Sequence, residues 1–241
     1  MSIESLPLDA RVVETLRGVS SGTITTVLLK KGLRNVWLRG TRPLAPDQPR
    51  LVGRAFTLRF VPAREDLATP ASWGSPISTR AAIEAMPAGC IAVVGALGTT
   101  DAGIFGDILC ARMQKRGVAG LVTDGVVRDV AGVLGTGLPV WCQGTAAPPS
   151  VAGLTFVGWQ EPIDCGGVAV FPNDVILVDQ DGAVLIPAAL LDDVVTAAVE
   201  QERFENWIMS QVEQGAVLPG LYPPNEENLA KYKAYVAGGG K

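Results

Sequence analysis

The stretch GALGTTDAGIFGDILCARMQKRGVAGLVTDGVVRD, residues 95–129, decides the fold. A glycine-rich loop, 95–106, enters a helix with Asp107, Ile108 and Leu109 in its first turn, Arg112, Lys115 and Arg116 in its last, and a stop at Gly117. Acid first, bases last and a terminal glycine is the order favoured by the helix dipole and by C-cap geometry. On either side lie the apolar runs Cys90 to Val94 and Val118 to Thr123, which are continuous rather than alternating. Strands of that kind sit in a sheet covered on both faces. Strand, loop, helix and strand in succession predict an α/β domain.

Working outward, residues 9–31 carry helical periodicity, broken at Gly18 and restarted at Ser20-Ser21, where a hydroxyl can cap the next helix. A Pro-rich connection, 41–50, leads to a strand at Ala55–Phe60, then to a long polar loop, 62–79, and a helix ending at Met86. Loops of that length inside compact domains are usually functional or disordered. Short β runs follow near Val140 and Phe156 and at 168–170, 175–178 and 183–186, giving a β-rich second half. From Ala188 the chain reads as a long C-terminal helix with Leu190, Leu191, Val194, Val195 and Ala198 on one stripe and a dense Glu/Arg segment after it. Residues 216–241 form an arm carrying Tyr222, Tyr232 and Tyr235, expected to pack on a neighbouring subunit of a homo-oligomer.

Composition removes several function classes. The 241 residues are 48% hydrophobic and 18% charged, with 20 basic against 24 acidic side chains and a net charge of −4. Mean hydropathy of +0.29 rules out disorder over most of the length. The acidic balance, with no basic cluster beyond Lys30-Lys31, argues against non-specific nucleic-acid binding. Histidine is absent, which removes His-based triads, His-liganded zinc and a His general base. The four cysteines stand far apart without a CxxC pair and read as buried, reduced thiols. No apolar run reaches the ~20 residues of a membrane span, and the N-terminus lacks a signal-peptide core, so the expectation is a cytoplasmic protein with no membrane association.

Chemistry must then come from carboxylates, Arg, Lys, Tyr, backbone amides or a metal. Free N–H groups at the start of the 107–116 helix could bind an anion, although for this feature taken alone the better reading is that Asp107 simply caps the helix. No GKS or GKT follows, so this is not a nucleotide P-loop. Twenty-one residues after Asp107 (128 − 107) comes Arg128, with Asp129 beside it, at the exit of a buried strand and an Asp124-Gly125 turn. An Arg can hold a carboxylate in a two-point fork, and an Asp is a hard oxygen ligand for Mg²⁺ or Mn²⁺. For the dipeptide alone, a surface ion pair at a turn is the better explanation.

The combination Gly106-Asp107, then Gly117-Val118-Ala119-Gly120, then Asp124-Gly125 and Arg128-Asp129 resembles the 4-hydroxy-4-methyl-2-oxoglutarate aldolase family, whose relatives include the regulator of ribonuclease activity A. A second block agrees: Gly166-Gly167-Val168, Pro172, Asp174, Asp179 and Asp181-Gly182, with Val184 and Pro187. The Asp179–Gly182 part of it reads as a hairpin turn without a catalytic role. The resemblance covers roughly residues 15–210, and the 62–79 loop and the tail after 215 depart from it.

The resemblance implies a single compact domain over 1–215 with a layered β-β-α, swivelling-domain-like core, the N-terminal helices and the C-terminal helical extension being packed around it. It implies a metal-dependent (class II) aldolase or oxaloacetate decarboxylase acting through pyruvate enolate, assembled as a homotrimer or homohexamer. Catalysis would fall to Asp107, which orients a water, and Arg128. The substrate carboxylate would be held by Arg128 and the amides of Ile108 and Leu109, with Gly106 and Asp107 lining the same place. Asp129 would anchor Mg²⁺ or Mn²⁺, joined by a glutamate from a neighbouring subunit, for which Glu205 fits best with Glu202 and Glu200 behind it. A solvated helix face accounts equally well for those glutamates.

Three rivals remain. A Schiff-base lysine is disfavoured because every lysine lies in a polar or helix-end context. A non-catalytic regulator would bind a ribonuclease through its surface. An aldolase or hydratase for 2-oxo-3-deoxy sugar acids would need more polar groups, which Arg64, Glu65, Asp66, Trp73, Ser75 and Ser78 of the long loop could supply.

Overall fold

The computed structural model describes residues 7–240; the first six residues, part of the N-terminus read above as lacking a signal, and Lys241 lie outside them. Two capped helices open the fold. In α1 (Ala10–Arg17) the Asp9 carboxylate accepts from Arg11 N–H at 2.7 Å, and in α2 (Ser21–Lys30) Ser20 Oγ accepts from Thr23 N–H at 3.0 Å. The turn between them is at Gly18, where periodicity placed it. Strands β1 (Trp37–Leu38) and β2 (Arg42–Pro43) precede β3 (Leu51–Pro62), and the long loop, with a 3-10 turn at Pro70–Gly74, leads to α3 (Thr79–Ala85). Then come β4 (Ile91–Gly95), α4 (Asp107–Lys115), β5 (Gly120–Thr123), β6 (Val126–Val127), α5 (Val130–Gly135), β7 (Val140–Cys142) and β8 (Gly144–Thr145). The β-rich part is β9 (Leu154–Trp159), β10 (Ile163–Cys165), β11 (Val168–Val170), β12 (Val175–Asp179) and β13 (Gly182–Ile186), before α6 (Leu191–Glu213) and α7 (Glu226–Ala237).

The result is a mixed α/β single domain. Its main sheet runs β1-β13-β12-β3-β4-β5-β7-β2, with β9 also on β3. The steps β3–β4, β4–β5 and β5–β7 are parallel, and the outer pairings are antiparallel. Strand β3 is long enough to serve two antiparallel partners: residues 51–54 pair with β12 and 58–62 with β9, across a register shift between Arg59 and Phe60.

The continuous apolar runs are buried on both faces, as expected. Along β4, Ala92 and Val94 enter a core with Ile83, Met86, Cys110 and Met113 of α3 and α4, whereas Ile91 and Val93 enter a second core with Trp141, Ile163, Val168 and Ile176. A third core joins α1, α2 and the first half of α6 through Leu16, Ile24, Leu28, Val194 and Ala198 to Val175, Leu177 and Val184. All four cysteines are buried free thiols, and burial pushes Cys90 and Cys110 up to about 12. The hairpin between β12 and β13 turns through Gln180-Asp181 and enters β13 at Gly182, with φ +117°, and Asp179 Oδ2 accepts from Ser21 N–H at 2.8 Å, a structural contact.

Helix α6 stays on α2 as far as Glu205, which Thr23 Oγ1 reaches at 3.1 Å, and α7 packs on its second half within the same chain. Trp207, Ile208, Leu221 and Tyr232 form a small separate cluster there, while Tyr222 and Tyr235 stay at the surface. Among the described residues no helix is long and apolar enough to cross a membrane.

Candidate active site

The site is built where β4 and β5 end. Two loops leave the sheet there and are tied to each other by main-chain bonds: Ile104 N–H donates to Val126 O and Arg128 N–H to Phe105 O, both at 2.9 Å, with Ala146 N–H on Val127 O at 3.0 Å. Backbone on both sides therefore fixes Arg128. Glycine allows the close approach, since a Cβ on Gly103 would stand 2.8 Å from Arg128 Cβ and 3.0 Å from Arg128 N.

Beneath the loops lies a buried carboxylate. Asp124 Oδ1 accepts from Ala96 N–H at 2.7 Å, and Oδ2 accepts from Gly98 and Gly166 N–H at 3.1 Å each. Burial pushes the Asp124 carboxyl above its ordinary range, against the pull of those three donors. The sequence presents this residue as an Asp-Gly turn and a member of the motif, with no role of its own, yet it gathers the starts of both site loops and the β10–β11 turn.

Helix α4 begins with Gly106 as N-cap and Asp107 as its first residue, so Asp107 is not the cap. Gly106 brings no side chain to the end, and the first bond back into the helix is Cys110 N–H to Gly106 O at 3.1 Å. The amides of residues 107–109 therefore point out of the helix start. Asp107 Oδ1 accepts from Ile108 N–H at 2.7 Å, and the rest of its carboxyl lies on the Cα of Gly132, where a Cβ would stand 2.7 Å from Oδ2.

Arg128 Nε donates to Asp129 Oδ2 at 3.0 Å, the local ion pair that the dipeptide alone would predict. This bond uses one donor. The terminal Nη1/Nη2 edge of Arg128 has no protein partner among the described residues and is left for a planar anion. Asp129 holds φ +55°, a left-handed conformation uncommon outside glycine, and caps α5 without a side-chain bond. The strained residue is thus the one with a half-exposed carboxylate at the mouth of the site.

Gly106, Asp107, Ile108, Leu109, Arg128 and Asp129 all line one cleft of about 380 Å³, together with Trp73, Arg80, Pro149 and Ser150. Glu205 is not among them. It lies on α6 beside α2, where Thr23 Oγ1 reaches Glu202 Oε2 at 2.6 Å and Glu205 Oε2 at 3.1 Å, and Gln201 Nε2 donates to Glu205 Oε1 at 2.7 Å. Glu200 accepts from the Tyr232 hydroxyl at 2.8 Å. Among the described residues no lysine lines the cleft. Of the six loop residues named for a sugar-acid site, Trp73 alone reaches it; Arg64 and Asp66 pair with each other at the surface at 2.6 Å. Arg80, which sequence reasoning passed over, is there.

Among the described residues no three His, Cys, Asp or Glu residues cluster to hold a metal. The donors still suit a hard cation that keeps most of its shell as water and substrate oxygen, because Mg²⁺ usually takes one or two protein carboxylates. Asp129 offers that carboxylate, with the bare Cα of Gly106 facing it.

Comparison with known proteins places these features in context. The family model described as "RraA-like: Aldolase/RraA" matches residues 9–185. Protein DlpA of Legionella pneumophila is 26% identical over 208 residues, 86% of this chain and 32% of that protein. A protein of Halalkalibacterium halodurans named "Putative 4-hydroxy-4-methyl-2-oxoglutarate aldolase" is 33% identical over 124 residues, 51% of this chain and 58% of its own length. The chain thus spans about a third of the first relative's length and somewhat over half of the second's. Among solved structures, Streptomyces coelicolor RraAS2, described as an unusual member of the RNase ES inhibitor RraA protein family, superposes with TM-score 0.75 at 33% identity, covering 85% of this chain and 98% of that one. An uncharacterized protein from Pseudomonas syringae shares the fold with TM-score 0.75 at 24% identity, covering 90% and 99%.

Proposed function

The chain belongs to the RraA-like family, and from that premise we propose that it is a carbon–carbon lyase acting on a 2-oxo acid through pyruvate enolate. One observation carries the reading: a helix start with outward amides, an arginine with a free terminal edge and a carboxylate in a strained backbone line a single cleft.

The residues divide the work by their chemistry. The Arg128 terminal edge takes the substrate C1 carboxylate in a two-point fork, assisted by the Leu109 amide at the positive end of α4 and by the Ile108 amide once it exchanges its bond to Asp107 Oδ1 for the substrate. Asp129 would hold a divalent cation, Mg²⁺ or Mn²⁺, which when bound supplies Lewis-acid polarisation of the 2-oxo group. In retro-aldol cleavage of a 4-hydroxy-2-oxo acid such as 4-hydroxy-4-methyl-2-oxoglutarate, a water oriented by Asp107 takes the C4 hydroxyl proton. The C3–C4 bond then breaks and its electron pair passes into the C2 carbonyl as the enolate. The same water returns a proton to C3, and pyruvate leaves. Oxaloacetate reaches the same enolate by losing CO₂. That no lysine among the described residues lines the cleft favours this over Schiff-base chemistry.

The test is pyruvate release from a panel of 4-hydroxy-2-oxo acids and oxaloacetate with Mg²⁺ or Mn²⁺. Turnover of at least one is expected, and none from the whole panel overturns the reading. The 33% identity to RraAS2 over most of both chains favours one alternative, a non-catalytic regulator that masks a ribonuclease surface. Under that reading the protein would inhibit a ribonuclease E-type enzyme in titration and release no pyruvate.

A further inference from the structure

Arg80 stands one turn before Glu84 on α3, the spacing at which the two would ordinarily pair. Glu84 is taken from the other side. Arg112 Nε and Nη2 of α4 grip its two oxygens at 2.7 Å each, and Arg116 Nη1 adds a contact at 3.3 Å. Among the described residues Arg80 consequently has no ion pair, only a long bond from Nη1 to Thr79 Oγ1 at 3.3 Å. What holds it is Trp73 of the 3-10 turn, whose ring centroid lies 4.7 Å from the Arg80 guanidinium carbon. Stacking on an aromatic face fixes a guanidinium while leaving its donors free. Both residues line the cleft that contains Arg128 and Asp129.

We propose that Arg80, held against Trp73, is the second anion receptor of this cleft and takes the distal carboxylate of a dicarboxylic 2-oxo acid whose first carboxylate lies on Arg128. The inference rests on the lyase reading above and narrows its substrate. Partial burial without a carboxylate neighbour pulls the Arg80 pKa down, a penalty that a bound carboxylate would relieve. A polyhydroxylated tail would find less: Ser75 and Ser78 do not line this cleft, and Arg64 is tied to Asp66.

The assignment also discriminates between the two routes to the enolate. In retro-aldol cleavage the distal carboxylate keeps its charge through the transition state. In oxaloacetate decarboxylation the distal carboxylate becomes CO₂, so a guanidinium on it stabilises the ground state more than the transition state. Arg80 therefore favours carbon–carbon cleavage at C3–C4 of a longer diacid over decarboxylation.

Two ligands that cannot turn over in these reactions, 2-oxoglutarate and 2-oxobutyrate, test this by titration calorimetry with Mg²⁺ present. The wild type is expected to prefer the diacid by roughly tenfold or more, the scale of one charge-assisted fork, and Arg80→Gln to collapse that ratio. Arg80→Lys should restore part of it, and Trp73→Leu should reduce it while keeping the charge. In kinetics, Arg80→Gln should raise KM for a 4-hydroxy-2-oxo diacid and lower the ratio of its cleavage to oxaloacetate decarboxylation. A wild type without preference, or a ratio unchanged in Arg80→Gln, overturns the assignment. Absence of pyruvate release with the binding preference intact would instead sink the lyase reading and leave Arg80 as a diacid receptor.

Discussion

A Cβ placed on Gly106 would stand 2.6 Å from Asp129 Oδ2, closer than real Cβ contacts come. The backbone of Gly106, at φ −116° and ψ −171°, is open to any residue, so the conflict is with side chains, first the Asp129 carboxylate and then Arg128 Cγ at 3.3 Å. Gly106→Ala should therefore cost only about 1 kcal/mol of stability, mostly a poorer N-cap, because the Asp129 side chain can swing away. Its effect should fall on the site: weaker Mg²⁺ binding by calorimetry and slower pyruvate release. A variant with wild-type metal affinity and turnover would show that Asp129 does not work from this position.

Arg128 and Asp107 are predicted to fail differently. Arg128→Ala removes the fork and should weaken pyruvate and oxalate as inhibitors by roughly 1.5–3 kcal/mol, about 10- to 150-fold in Ki. Asp107→Asn keeps the shape on Gly132 but loses the group that orients the water, so kcat should fall while inhibitor affinity stays nearer wild type. Inhibition kinetics on both variants decide the matter. Equal kinetics for wild type and both variants would mean the chemistry lies elsewhere.

The contrast between Asp107 and Arg80 shows what the sequence can carry. The helix start at Asp107 and the Arg128-Asp129 turn are local features, written in consecutive residues and strand periodicity, and the fold brings them into one cleft. The two-faced burial of β4 was legible for the same reason, since a continuous apolar run has only one packing solution. Arg80 was not legible, because its nearest sequence partner, Glu84, is claimed by Arg112 and Arg116 of another helix. Asp124 was missed because its three donors come from residues 96, 98 and 166, a tertiary convergence that an Asp-Gly dipeptide does not announce. The division of β3 between β12 and β9 likewise depends on strands more than ninety residues away.

Metal removal is the third test. With the carboxylates of Asp107 and Asp129 lining the cleft and no thiolate or imidazole among its lining residues, a hard divalent cation is the one the donors suit. Pyruvate release should stop in EDTA and return with Mg²⁺ or Mn²⁺; full turnover in chelator would exclude a required metal. In its own chain Glu205 sits by Thr23 on α6, outside the cleft, so a metal role for it requires a neighbouring subunit in a trimer or hexamer. Mixing Asp129→Ala with Glu205→Ala subunits should then recover part of the activity, because some interfaces would combine two intact halves. No recovery between folded variants shown to exchange subunits would assign Glu205 to the α2–α6 contact alone.

The last prediction concerns the attachment of α7 to α6. The Tyr232 hydroxyl donates to Glu200 Oε1 at 2.8 Å, and its ring meets Phe204 edge-on at 5.0 Å and Trp207 at 5.5 Å. Burial, then the bond to the Glu200 carboxylate, push this phenol from 10.0 up to about 12. A folded value above the unfolded one means that the contribution to stability is complete below pH 10 and is lost as pH rises through about 12. Tyr232→Phe should thus lower the stability of the α6–α7 unit at pH 8 by about 1 kcal/mol, the usual net value of one hydrogen bond. The gap between wild type and variant should hold steady up to pH 10 and narrow above it. Urea unfolding followed by tryptophan fluorescence across that range measures the gap, and the difference in absorbance at about 295 nm between the two proteins gives the phenol's own midpoint, expected to be raised by the mechanism of burial plus a carboxylate partner. A variant as stable as wild type at pH 8, or a gap that widens with pH, would show that this phenol does not pin the arm to its own chain.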